Sequence, residues 1–158
     1  MKTNIHQGFT LVELLVVIAI LAILTTLGIT NFQSAKVKAR DLSRKSDLQT
    51  IAKSLEAYIN DHRTYPLSDE SGKIKCRSDG SICDWGEIFT DGTTTYVTVL
   101  PQDKNSASAY RYLSSSGANY SLYATLENPQ DPAITTFSPE VYCGSNLCNY
   151  KITSSNIQ

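Results

Sequence analysis

A chain of 158 residues has room for one folded domain beside a membrane segment, and too little for a multi-domain enzyme. A formal net charge of -1 and a sequence pI near 6.1 exclude a global basic field that would gather nucleic acid, so any such contact has to be local. Polar residues concentrate after residue 30, where Ser, Thr, Asn and Tyr abound, which suits an exposed, β-rich extracellular domain.

The first predicted element is apolar. Residues 9–29 form a 21-residue run whose centre, 14–24, holds no polar side chain. At about 1.5 Å rise per residue such a helix spans roughly 30 Å, the thickness of a hydrocarbon core, so the run predicts a membrane-spanning helix. A cleaved secretory signal with Lys2 in its basic region competes, but it needs a small-x-small site after the run, and TTLGITNF contains no A-x-A. Glu13 is the anomaly. A carboxylate within a span costs about 2.5–3.5 kcal/mol at the helix centre and less near the ends, so Glu13 should have a partner. In an intact chain it would be an interfacial acid tolerated by snorkelling. A cut between Gly8 and Phe9 would instead create an α-amine on Phe9 one helical turn from Glu13. The two charges could then pair within a chain or between packed helices, where the pair fixes stagger because other registers leave the acid unpaired.

The stretch GFTLVELLVVIAILAIL resembles the class III signal of type IV pilins and type II secretion pseudopilins: a short basic leader ending in Gly, then Phe, Thr, Leu, a hydrophobic residue, Glu and a long apolar run. The resemblance implies that a prepilin peptidase removes residues 1–8, cutting after Gly8 and N-methylating Phe9, and that Glu13 is the assembly glutamate. It also implies partners: identical or related pilin subunits, an inner-membrane assembly platform and its ATPase. One departure stands out. Many members carry a proline near position 30 that helps the helix unwind, whereas this chain has Thr30, with Gly28 close by. Glycine inside a helix weakens it by about 1 kcal/mol.

Beyond the span, Leu48, Ile51, Leu55, Tyr58 and Ile59 recur at three- and four-residue spacing and predict an amphipathic continuation over 30–62. A helix from 9 to 62 would be about 80 Å long. Pro66 ends it by restricting Tyr65 to extended conformations. The ending SLEAYINDHRTYP is similar to that of major pseudopilins and related Gram-positive pilins. Lys36, Lys38, Arg40, Arg44 and Lys45 read as a solvated helical face with Asp41 and Asp47 interleaved, able to touch anionic lipid headgroups before assembly.

Residues 63–93 read as a connecting loop containing the first cysteine pair, Cys76 and Cys83. Over 94–158, period-two stretches predict three or four antiparallel strands: TTYVTVL, AYRYLSS and NYSLYATLE about an SSGAN turn, then EVYC and NYKI. Their apolar side, including Leu122, Ala124 and Leu126, should cover the amphipathic helix, giving an α+β fold with a long N-terminal helix packed on a small antiparallel sheet. Cys143 and Cys148 bound a short C-terminal loop that looks like the disulfide-bounded region of many pilins. Four cysteines in a short exported chain favour disulfides; three connectivities are open, and the local one is easiest to close. Zinc is disfavoured, since neither pair has C-x-x-C spacing and His62 is the one histidine beyond the first eight residues.

Positive-inside counting, five cations after the span against Lys2 before it, favours a cytoplasmic C-terminus. The cysteines favour the reverse. Long domains translocate largely regardless of charge, so the expected topology is a single pass with the leader cytoplasmic and the domain outside, followed by an extracellular or periplasmic filament.

Catalysis finds no support, because His62 has no neighbouring nucleophile motif and there is no GxxxxGK[ST] or GxGxxG. The acids Asp69, Glu70, Asp79, Asp84, Glu87 and Asp91 match no EF-hand pattern. The resemblance brings in calcium in a C-terminal loop, but its ligands align with no residue here, so no cofactor is assigned. The leading expectation is a structural subunit of a type IV pilus or pilus-like filament, the rival a pseudopilin of type II secretion or DNA uptake. A membrane-tethered extracellular binding module is the alternative of another class, and for it Glu13 would be dispensable.

Overall fold

The computed structural model describes residues 8–77 and 79–154, with the backbone alone described at 26–31. Helix α1 covers Leu11–His62, 52 residues uninterrupted by proline. It closes at Arg63, which donates its N–H to the Ile59 carbonyl at 2.8 Å and turns left-handed at φ 64°, the geometry that ends helices.

The chain divides into two units, residues 1–38 and 39–158. In the first, the helix leaves its apolar side chains uncovered: Leu11, Val12, Leu14, Leu15, Ile18 and Leu21 are all exposed, Leu11 to 81%. Among the described residues no helix is long and apolar enough to cross a membrane. The expected span of 9–29 runs onto residues 26–29, whose side chains lie outside the described ones; so do the side chain of Thr30 and leader residues 1–7.

In the second unit α1 supplies one side of the core. Leu48, Ile51, Leu55 and Tyr58 are buried, as their spacing predicts. Each such side chain contributes about 1.5–3 kcal/mol by leaving water. Ten short strands follow among the described residues: β1 Leu67–Ser68, β2 Ile74–Lys75, β3 Ile82–Cys83, β4 Phe89–Thr90, β5 Thr95–Val97, β6 Arg111–Leu113, β7 Ser121–Ala124, β8 Tyr142–Cys143, β9 Asn146–Leu147 and β10 Tyr150–Thr153. They make antiparallel sheets in the orders β1-β2-β3 and β10-β7-β6, with two-stranded pairs β4-β5 and β8-β9. Tyr112, Leu122 and Ala124 join Leu48, Ile51 and Leu55 in one hydrophobic cluster with Ile74, Phe89 and Leu100. Leu126 is buried as well.

Two expectations change. Residues 63–93, read as a loop, carry β1 to β4, strands too short to show a period-two pattern. EVYC supplies no strand to the main sheet; β8 pairs instead with β9 across Gly144, at φ +73°, where an added Cβ would sit 2.7 Å from the Ala107 carbonyl oxygen. Disulfides Cys76–Cys83 and Cys143–Cys148 join the residue after β2 to β3 and β8 to the residue after β9, at Cα separations of 5.8 and 5.2 Å, the local connectivity.

The basic stretch is not a uniformly solvated face. Arg44 and Asp41 are buried, and the Arg44 guanidinium donates to Asp41 at 2.8 Å, Asp103 at 2.8 Å and Glu127 at 2.5 Å. Asp41 also accepts the backbone N–H groups of Glu127 and Asn128 at 2.9 and 2.8 Å. Arg40 pairs with Glu127, and Lys45 with Asp131 at 2.7 Å. Asp103, Glu127 and Asp131 lie 59 to 87 residues away from their partners on α1, so helical periodicity could not reveal them. Lys36 and Lys38 remain exposed. Asp47, read as part of the same face, accepts the Tyr110 hydroxyl at 2.6 Å.

Candidate processing and assembly site

Gly8 and Phe9 stand ahead of α1 and are exposed; nothing lies within 4 Å of the place a Cβ on Gly8 would take. The peptide between them is therefore open to approach. Thr10 starts the helix. Its N–H and its hydroxyl donate to Glu13 Oε2 at 2.9 and 2.8 Å, and the Glu13 N–H donates back to Thr10 Oγ1 at 3.2 Å. This reciprocal arrangement is a capping box, in which Thr and Glu three residues apart satisfy donors that the first turn leaves unpaired. Phe9 and Leu14 occupy the positions that form a hydrophobic staple around such a box.

Thr10 is the residue that sequence reasoning overlooked, although T-x-x-E ahead of an apolar run is the written form of the motif. Its consequence is that Glu13 has a local partner in the chain as it stands. The carboxylate also complements the positive end of the helix dipole. Oε1 accepts no hydrogen bond among the described residues, so the group can cap the helix and still face a cation. The Phe9 nitrogen lies one residue before the Thr10 nitrogen already bonded to Oε2.

Other polar candidates are used structurally. His62 Nε2 lies 2.8 Å from Asp91 Oδ2, and its ring stacks on Tyr58 at 4.1 Å. The Thr94 and Thr93 amides hold the Asp91 carboxyl well below the usual range. Asp69, Asp79 and Asp84 accept the backbone amides of Lys73, Ser81 and Trp85 in turns. Among the described residues no group of three or more His, Cys, Asp or Glu is placed to hold a metal ion.

Fold and site define a class: an α+β protein that opens on an exposed Gly-Phe junction and a capped apolar helix. Residues 3–29 match the family described as the prokaryotic N-terminal methylation motif. The chain is 33% identical over 103 residues to the type II secretion system core protein G of Aeromonas hydrophila, covering 65% of this chain and 70% of that protein. The proteins of the same name from Dickeya chrysanthemi and Klebsiella pneumoniae are 36% and 35% identical over 98 residues, covering 62% of this chain and 62% and 68% of theirs. No solved structure matches significantly. The chain belongs to the type IV pilin and type II secretion pseudopilin family.

Proposed function

We propose that this chain is a structural filament subunit of the pseudopilin type, made as a membrane-anchored precursor and polymerised through its N-terminal helix. A prepilin peptidase would cut after Gly8 and methylate the Phe9 amine, with the leader cytoplasmic and residues 39–158 outside. The span over 9–29 would then exchange lipid for neighbouring helices, with Glu13 meeting the Phe9 amine of its own or an adjacent subunit. Work for extraction would come from an assembly platform and its ATPase, since the sequence carries no nucleotide-binding motif. The observation that carries the reading is the methylation motif over 3–29, which runs into a helix whose apolar side chains stay exposed. A stripe of that kind needs lipid or other helices to cover it. The relatives' name, type II secretion system core protein G, favours a secretion filament. The rival, an exposed type IV pilus, is favoured by the two disulfides.

The test is the intact mass and N-terminal sequence of protein recovered from cells. A chain beginning at methylated Phe9 is expected. One that still begins at Met1 would remove the amine partner of Glu13 and leave the membrane-tethered binding module as the better reading.

A further inference from the structure

Folding divides the basic stretch that follows the apolar run. Arg40 and Lys45 pair with Glu127 and Asp131, and Arg44 with Asp41, Asp103 and Glu127. Lys36 and Lys38 are exposed and form no ion pair among the described residues. Their own helix supplies no anion: the sequence has no Asp or Glu over 14–40, and Asp41, the first acid after them, is taken by Arg44 and by the Glu127 and Asn128 amides. Both lysines lie in the unit that carries the uncovered apolar helix, residues 1–38, as does Phe32, which is 69% exposed. Along α1, Phe32 stands about 4 Å beyond Ile29, Lys36 about 10 Å and Lys38 about 13 Å. Helical side chains lean towards the helix N-terminus, here back towards the apolar run. For a span that ends at Ile29, a headgroup layer about 5–8 Å deep is therefore within reach of both long lysine stems, with Phe32 at the hydrocarbon edge.

We propose that Lys36 and Lys38 bind the phosphates of anionic phospholipid headgroups at the outer face of the membrane, and that together with Phe32 they fix the depth of α1 in the bilayer before assembly. The proposal rests on the membrane-anchored reading above. Phe32 and Lys36 are one turn apart and share a side of α1, while Lys38 points to another side, so headgroups are met around the helix rather than along one stripe. Two cations suffice because the helix is already held at the surface by its apolar run. They select among neighbouring lipids and do not have to recruit the chain. An acidic segment of a second copy would have to enter a stretch of helix that headgroups already surround in the monomer. Passage into a filament then exchanges these headgroups for neighbouring chains.

The experiment reconstitutes the full chain in phosphatidylcholine bilayers and compares, by electron spin resonance, how strongly spin-labelled phosphatidylglycerol and spin-labelled phosphatidylcholine associate with it. A preference for phosphatidylglycerol is expected, to which each lysine contributes up to about fivefold, the scale of one basic residue near an anionic surface. It should shrink in 1 M salt. The double variant Lys36→Gln, Lys38→Gln should lose it down to whatever Lys2 in the leader supports. Lys53→Gln should keep it, because that exposed lysine stands about 22 Å beyond Lys38 along α1. Circular dichroism checks that the variants, all at exposed positions, fold. A chain that alkaline carbonate strips from the bilayer defeats the membrane-anchored reading itself. A chain that stays embedded and shows no preference, or the same preference in the double variant, overturns this proposal alone. So does equal loss in Lys53→Gln. Loss of filaments in the double variant with lipid preference unchanged would assign the two lysines to a neighbouring copy instead.

Discussion

Glu13 carries two demands, and substitution can separate them. Glutamine at the third helical position closes a capping box as glutamate does, so Glu13→Gln keeps the cap and removes the charge. Its expected phenotype is unchanged helical content by circular dichroism together with loss of filaments by electron microscopy. Thr10→Ala does the converse: it costs the first turn about 1 kcal/mol while leaving the carboxylate charged. Filaments formed normally by Glu13→Gln would reduce Glu13 to a cap. At Arg44 the demand is on stability. Removing its guanidinium leaves Asp41 and Asp103 buried with less compensation, because burial opposes the Arg44 charge and the carboxylates of Asp103, Glu127 and Asp41 outweigh it. Arg44→Ala should therefore cost about 3–5 kcal/mol, measurable as a lowered urea midpoint.

At the scale of elements, the sequence was most informative where periodicity is long. The face of Leu48, Ile51, Leu55 and Tyr58 announces the buried side of α1, and the hairpin of β6 and β7 follows from alternating residues about SSGAN. Leu55→Ala should cost about 2–5 kcal/mol, since that side chain is wholly buried. Strands of two residues have no period, so β1 to β4 and the β8-β9 hairpin could not be foreseen; Ile74 and Phe89 anchor β2 and β4 in the core, and disulfides close the β2-β3 and β8-β9 pairs. Each disulfide closes a short loop, with sequence separations of 7 and 5, and the chain-entropy account gives about 2–3 kcal/mol for each. Replacing Cys76 and Cys83 together by serine should lower the melting temperature by several degrees, roughly 2–4 °C per kcal/mol in a chain of this size. The carboxylate partners of α1 were illegible for a different reason. Arg44 meets Asp103 and Glu127 through folding alone, and Tyr65 and Tyr120 both donate to Glu56, from the turn after α1 and from the residue before β7.

For the folded domain as a whole, these contacts set a pH window with two edges. On the acid side, Arg40 and then Arg44 hold Glu127 at about 2 against an ordinary value of 4.5, and Lys45 lowers Asp131. A carboxyl depressed on folding stabilises fully above its unfolded value and loses that contribution as pH falls towards the folded one, so the loss falls between about pH 4.5 and 2. On the alkaline side, burial and then Glu56 push Tyr65 up to about 12 from 10.0, and Tyr110, Tyr112 and Tyr120 are raised as well, chiefly by burial. A hydroxyl raised on folding stabilises fully below its unfolded value, and this support drains away from about pH 10 through 12. Urea midpoints measured against pH should therefore show a plateau between the two edges. Arg40→Ala should move the acid edge upward, because Glu127 would lose its largest stabilising partner, and Tyr65→Phe should shrink the alkaline fall while sparing the acid one. An acid edge unmoved in Arg40→Ala would mean that the ion pairs between α1 and the segment around Glu127 contribute little, and that the buried Asp41 bonds to the Glu127 and Asn128 amides hold that segment by themselves.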